Sequence, residues 1–265
     1  MSVDRFTSGL PAGAPAPGTS FSDLLRSLDL AQEWNGGATG SQVLAPEGTT
    51  VLALRYADGV VMVGDRQATE GHLVAHRRIQ KVFQADAFSA VAISGTAGLA
   101  IEMVRLFQTE LEHYEKLEGA RLSLEGKATY LARMVRAQLP MVFQGLVVVP
   151  LFAGFDETAQ EGRLYTFDVV GGRYEEQDFG ATGSGGRDAK SYLRGAYADG
   201  LEESDALEVA LRALINASEE DTATGGPDVH RGIFPNVVMV TASGFHEVPE
   251  AQVAAISATA METTR

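Results

Sequence analysis

The order in which strand-like and helix-like patterns succeed one another limits the fold of this chain more than any single motif. Val51–Tyr56 and Val60–Val63 are short apolar runs joined by Ala57-Asp58-Gly59, whose Asp-Gly supplies tight-turn residues, so a hairpin is expected. Leu73–Phe83 and Phe88–Ser94 are expected as two further strands, the second nearly all apolar and therefore central. The period then changes. Ala100, Met103, Val104, Phe107, Leu111 and Tyr114 recur on one helical face, as do Leu124, Ala128, Leu131, Val135 and Leu139 in the next segment. Strands return at Leu146–Ala153, Leu164–Val170 and Tyr174–Asp178, helices at Arg187–Tyr197 and Ser204–Glu219, a strand at Asn236–Thr241 and a weaker helix near Glu250–Ala260. Every amphipathic helix needs a sheet to cover, and two groups of apolar strands need each other. The expected class is α+β, with two stacked, mainly antiparallel sheets covered by helices on both outer faces: a four-layer αββα sandwich.

Residues 1–48 obey a different rule. This stretch is rich in Pro, Gly, Ala and Ser, and its segment Thr19–Leu28 offers capping residues before no more than a marginal helix. Asp4 and Arg5 stand near its start and no apolar h-region comes after them, so it does not read as a secretory signal. It ends at Pro46-Glu47-Gly48-Thr49-Thr50, against the first strand. If the Gly48–Thr49 bond is cut, Thr49 carries a hydroxyl nucleophile and a free α-amine. An α-amine has a reference pKa of about 7.7–8.0, so part of it is neutral near pH 7 and can accept the hydroxyl proton.

Composition excludes several classes. No apolar stretch approaches the roughly 20 residues of a membrane span, which leaves the cytoplasm as the default location. With no cysteine there is no disulfide framework, thiol nucleophile or Cys-ligated zinc. A net charge of −14 argues against nucleic-acid binding. The five histidines form no His-x-x-x-His pair flanking a glutamate, and His72 and His76 in a strand stand about 13 Å apart, too far for one metal. Gly183-Ser184-Gly185-Gly186 lacks the Gly-Lys-Ser/Thr ending of a phosphate loop. Neither metal nor cofactor is expected.

Three segments place polar groups beside apolar strands: Gly64-Asp65-Arg66-Gln67-Ala68-Thr69, Lys81 within Ile79-Gln80-Lys81-Val82-Phe83, and the small-residue turn Ser94-Gly95-Thr96-Ala97-Gly98. Taken singly, each has a bland explanation as a turn former, a snorkelling lysine or a geometric glycine turn. Strand-to-helix turns like the third also expose backbone N–H groups suited to an oxyanion hole.

Together, and in this order, Gly48-Thr49-Thr50-Val51-Leu52-Ala53-Leu54 and these three segments resemble the pattern of proteasome β subunits. Ala181-Thr182-Gly183-Ser184-Gly185-Gly186, Asp221–Asp228 and Arg231-Gly232-Ile233-Phe234-Pro235 are similar to the actinobacterial form in particular. The resemblance covers Thr49 to Arg265 and implies the N-terminal nucleophile hydrolase fold for 49–265, with 1–48 as a propeptide removed by autolysis. It implies Thr49 as nucleophile, with Lys81 beside it lowering the proton affinity of its hydroxyl and amine, and Asp65 keeping Lys81 charged and oriented. Gly95 N–H would stabilise the oxyanion, and Ser184, Asp221 and Thr224 would hold the amine and a water. Two residues depart from the family pattern: Gln67 where a basic residue is expected, with no expected part in the chemistry, and Thr224 where serine is common.

The resemblance further assigns a specificity pocket to Ala68, Ala75, Ile79, Phe83, Ile93, Ala97 and Ile101, none of them charged, so cleavage after apolar side chains is expected; the same residues read equally well as plain core. Backbone groups of Thr69, Gly95 and Ala97 would pair with an extended substrate. The implied partners are α subunits, β subunits in two stacked seven-membered rings, indirectly a ring-shaped ATPase unfoldase, and unfolded protein substrates. Two other readings are a shorter HslV-like ATP-dependent threonine protease and a non-catalytic β-type ring scaffold. Scaffolds lose the threonine or its partners, whereas Thr49, Asp65 and Lys81 are all present.

Overall fold

The computed structural model describes residues 48–70 and 73–263. The chain divides into two units, Met1–Gln42 and Val43–Arg265, and the described sheets and helices all belong to the second. The marginal helix at Thr19–Leu28, the rest of the leader before Gly48, and His72 lie outside the described residues.

One sheet has the order β10-β1-β2-β11-β12, built from Phe179–Gly183, Thr50–Tyr56, Gly59–Gly64, Asn236–Thr241 and Gly244–Glu247. The other runs β5-β6-β7-β8-β9, from Val82–Asp86, Ser89–Gly95, Val148–Asp156, Glu161–Phe167 and Arg173–Glu176. All pairings in both are antiparallel. Helices α1 (Ala97–Glu118) and α2 (Leu124–Ala137), with the short α3 (Leu139–Val142) after them, belong to the second sheet's side. Helices α4 (Gly186–Ala196), α5 (Glu203–Glu220) and α6 (Glu250–Thr263) belong to the first.

Alternation of side chains explains why the strands read as unbroken apolar runs. Leu52 and Leu54 of β1 and Val61 and Val63 of β2 face α4 and α5, with Ala206, Leu207, Leu211 and Leu214. Their neighbours Val51, Ala53, Val60 and Met62 face the opposite sheet, meeting Ala90, Ala92, Leu151 and Ala153. Val91, Ile93 and Phe152 point the other way, into Phe107, Leu131 and the rest of the α1–α2 stripe. Three apolar interiors thus separate four layers, and the expected αββα sandwich is the fold observed.

Several boundaries differ from expectation for local reasons. Leu73–Phe83 is not one strand: Leu73–His76 (β4) pairs with Ala68–Glu70 (β3) in a separate two-stranded sheet, and the chain then runs irregularly to Val82. Ile79 N–H donates to Arg66 O in this connection, which carries Lys81 toward β2. Leu139 lies outside α2 and opens α3 instead, because Pro140 has no N–H to continue the helical ladder of α2. The sequence pattern does not announce β10 or β12; Gly180 and Gly183 weaken the strand signal of β10, which is fixed instead by its register against Thr50–Leu54 of β1.

Candidate active site

The site lies where β1 begins. Thr49 is buried, and its carbonyl accepts from Ser184 N–H at 2.9 Å. Gly183 makes this approach possible: its φ is +97°, and a Cβ there would stand 1.7 Å from Thr49 O. The start of β1 is therefore clamped to the end of β10.

Asp65 leaves β2 and Lys81 ends the irregular connection. Their side chains form an ion pair of 2.6 Å at the buried end of the site. Asp65 Oδ1 accepts from Thr50 N–H at 2.9 Å and from Lys81 Nζ, while Oδ2 accepts from Gln67 N–H and Gly225 N–H, both at 3.0 Å. Burial pushes the Asp65 carboxyl up from its ordinary value, and the Lys81 ammonium with these backbone donors opposes that push. Donors on both oxygens leave no room for a proton on the acid, so the pair stands as carboxylate and ammonium. Lys81 Nζ also donates to Gln67 O.

A narrow apolar cavity opens beside Thr49 and Lys81, walled by Ile79, Ile93, Ser94, Gly95, Ala97, Ala100 and Ile101. Of the expected pocket residues, the structure brings Ile79, Ile93, Ala97 and Ile101 together here. It does not bring the others. Ala68 is buried and does not line this cavity, Phe83 packs against the core under α1, and Ala75 is exposed on β4, on the wall of a different cleft with Arg78 and Arg231. Gly95, expected as the oxyanion donor, has φ +99°, and a Cβ on it would lie 2.0 Å from Val147 O. Ile93 N–H donates to Lys81 O on one side of β6 and Thr96 N–H to Val147 O on the other. Alternation along the strand therefore turns the Gly95 N–H to the Lys81 side, beyond the start of β5, where among the described residues no strand continues the ladder.

Thr69, expected to offer its backbone to substrate, pairs with Val74 of β4, and its Oγ1 accepts from Gly48 N–H at 2.9 Å. A second network lies on the far side of Thr49. Thr224 Oγ1 donates to Asp221 Oδ2 at 2.6 Å, Ala223 N–H donates to Oδ1 at 3.0 Å, and Ser184 is a further hydroxyl partner of Asp221. Partial burial pushes Asp221 up, but the Ser184, Thr224 and Ala223 hydrogen bonds and the Lys81 charge outweigh it and hold the carboxyl below its ordinary value. Among the described residues no group of His, Asp and Glu is placed to hold a metal ion.

The proteasome subunit family model matches residues 45–229, well over half of the chain. The chain belongs to the proteasome subunit family. It is 52% identical to the proteasome subunit beta of Acidimicrobium ferrooxidans, over 97% of this chain and 95% of that protein. It is 48% identical to the namesake of Streptomyces griseus, over 97% and 93%, and 48% identical to that of Stackebrandtia nassauensis, over 95% and 94%. Among the described residues no helix is long and apolar enough to cross a membrane.

Within this proteasome subunit, the residues that sequence reasoning misses act mostly through their backbone. Gln67, expected to have no part in the chemistry, touches the ion pair through its own N–H and carbonyl, while its side chain turns away to Thr222 O at 3.1 Å. No side-chain pattern announces such a role. Thr50 reads in the sequence only as the start of a strand. Its Oγ1 accepts from Gly185 N–H at 2.8 Å and lies 2.6 Å from Thr224 Oγ1. Since Thr224 gives its proton to Asp221, Thr50 donates to Thr224, and a polarised chain runs from Gly185 through both hydroxyls to the carboxylate. The methyl that distinguishes Thr224 from serine leaves this chain intact.

Proposed function

We propose that this chain is a catalytic β subunit of a bacterial proteasome core, a threonine endopeptidase made as a precursor whose residues 1–48 are removed by its own Thr49. The observation that carries the reading is the position of Thr49 at one cavity with a buried, charged Lys81, a hydrogen-bonded Asp65 and the inward N–H of Gly95.

In the precursor, Thr49 nitrogen is an amide and cannot act as base. Thr49 Oγ1 attacks the carbonyl carbon of Gly48: the new C–O bond replaces the C–N bond, the hydroxyl proton ends on nitrogen, and water splits the resulting ester into a Gly48 carboxylate and free Thr49. The mature amine then takes the hydroxyl proton as Oγ1 attacks a substrate carbonyl. Lys81 makes that proton easier to remove, and Gly95 N–H donates to the developing oxyanion, a type of contact worth about 3–4 kcal/mol. The amine passes its proton to the leaving peptide nitrogen, and water releases the acyl group. Ser184, Asp221 and Thr224 orient amine and water. Substrate lies extended against the backbone of Thr69, Gly95 and Ala97, its side chain before the cut entering the apolar cavity.

Relatives named proteasome subunit beta, matched over nearly their whole length, support assembly with other subunits into a proteasome core. The reading extends to seven-membered β rings, two of them stacked between rings of α subunits and fed with unfolded protein by a ring ATPase in the cytoplasm. The test is covalent labelling of the assembled particle with a β-lactone or epoxyketone. Attachment to Thr49, read by peptide mass, is expected; an unlabelled particle would identify a non-catalytic scaffold.

A further inference from the structure

The residue before Thr49 sits in a slot with no room for a side chain. Gly48 is buried, and its N–H is held by Thr69 Oγ1 at 2.9 Å. A Cβ on Gly48 would stand 2.0 Å from Ala223 Cβ, 2.9 Å from Ala223 Cα and 3.0 Å from Ala223 O. Carbon atoms in contact settle at about 3.5–4.0 Å, and no rotamer moves a Cβ, so the conflict cannot be relieved by side-chain rotation.

Ala223 is not free to retreat. Its N–H donates to Asp221 Oδ1 at 3.0 Å, Thr224 N–H to Asp221 O at 3.0 Å, and Gly225 N–H to Asp65 Oδ2 at 3.0 Å. Moving Ala223 would drag the loop that both carboxylates hold. On the other side, Thr49 O is fixed by Ser184 N–H.

We propose that Ala223 is a specificity-determining residue for self-cleavage: its methyl, fixed between Asp221 and Thr224, admits only glycine before Thr49. The inference rests on reading Thr49 as the self-cleaving nucleophile. It concerns the leader alone, because the cavity assigned to substrate side chains is walled by Ile79, Ile93, Ala97 and Ile101 and not by Ala223. One nucleophile therefore meets two acyl groups under different restrictions: a glycine carbonyl in its own chain, and carbonyls carrying apolar side chains in substrates.

The experiment tracks leader removal by intact mass in particles assembled from the full-length chain. Gly48→Ala is expected to slow removal about 10²-fold, the usual cost of a displacement near 1 Å at a reacting bond. Adding Ala223→Gly removes the closest contact, and about tenfold of the lost rate should return, a coupling between neighbours that independent sites do not show. Ala223 is only partly buried in its loop, so enlarging it is compatible with folding; Ala223→Val with Gly48 intact should also slow removal. Wild-type speed in Gly48→Ala or in Ala223→Val would overturn the proposal, as would a Gly48→Ala defect untouched by Ala223→Gly. Thr49→Ala separates the two readings: if its leader still leaves at the same bond, it is self-cleavage that fails.

Discussion

Two buried lysine–aspartate pairs occur among the described residues, and one of them stands at the candidate active site. Lys81 and Asp65 lie 2.6 Å apart with side chains 3% and 0% exposed; Lys127 and Asp86 lie 2.5 Å apart at 5% and 13%. By burial and distance they are nearly the same object. Their surroundings differ. Asp86 uses its remaining capacity on the β5–β6 turn, accepting from Phe88 N–H at 3.1 Å and Ser89 Oγ at 2.5 Å, so Lys127 pins α2 to that turn. Asp65 holds Thr50, Gln67 and Gly225, the segments around Thr49, and Lys81 borders the cavity. A buried charge pair becomes chemistry only when a nucleophile and an open space adjoin it.

Neutralising each lysine in turn should give the largest difference between the pairs. Lys81→Ala should lower peptide hydrolysis by at least about 10³-fold, the scale on which members of a nucleophile's activating set act. Lys127→Ala should instead cost about 3–5 kcal/mol of stability, because it strands Asp86, while hydrolysis per folded particle stays within a factor of about two. Thermal melts and turnover on the same preparations decide. A Lys127→Ala particle that melts normally but is inactive would reverse the two assignments.

Replacing both members of each pair separates stability from chemistry. Asp65→Asn with Lys81→Met removes the stranded charge and should recover most of the stability lost in Lys81→Ala without recovering activity. Asp86→Asn with Lys127→Met should recover stability with activity retained, since uncharged replacements of buried pairs are often near neutral. Activity returning in the first double variant would remove Lys81 from the mechanism.

The contrast also marks how much was legible in the sequence. The layer order was legible because β1, β2, β6, β7 and β11 are buried on both faces and α1, α2 and α5 on one, and each leaves its own periodicity. Thr49, Asp65, Lys81 and Gly95 were legible as side chains or special backbone at strand ends. Lys127 reads as nothing more than a helix residue, since its partner lies 41 positions earlier in a turn. The hub made by Thr50, Gln67 and Gly225 is hidden because N–H and carbonyl groups are common to every residue. Which of the expected pocket residues border the cavity beside Thr49 was not legible, because a wall residue and a core residue share one composition: Ile93 and Ile101 line it while Phe83, packed against the same core, does not.

A smaller effect is expected at the cavity. Lys81 already borders it, so an arginine before the cut would bring a second cation into an apolar space, and an aspartate would be stripped of water. Fluorogenic peptides ending in Tyr, Phe or Leu should exceed those ending in Arg or Asp by about 10²-fold in kcat/KM. A preference for Arg would show that side chains enter elsewhere.

The smallest expected effect concerns pH. Asp221 is held below its ordinary value, so its hydrogen bonds are complete above about pH 4 and are lost only as pH falls through that lowered value. Asp221 therefore sets no acid limb between about pH 5 and 8. The group that titrates there is the freed amine of Thr49, with a reference near about 7.7–8.0 drawn downward by Lys81, and activity should fall as that amine gains its proton. The Asp221 anion opposes Lys81 and raises the amine, so Asp221→Asn should lower the maximal rate and move the limb to lower pH by less than about one unit. Asp86→Asn, at the β5–β6 turn, should leave the limb where it is. Equal displacement by both variants would mean that net charge rather than position governs the nucleophile, and the distinction between the two buried pairs would lose its physical basis.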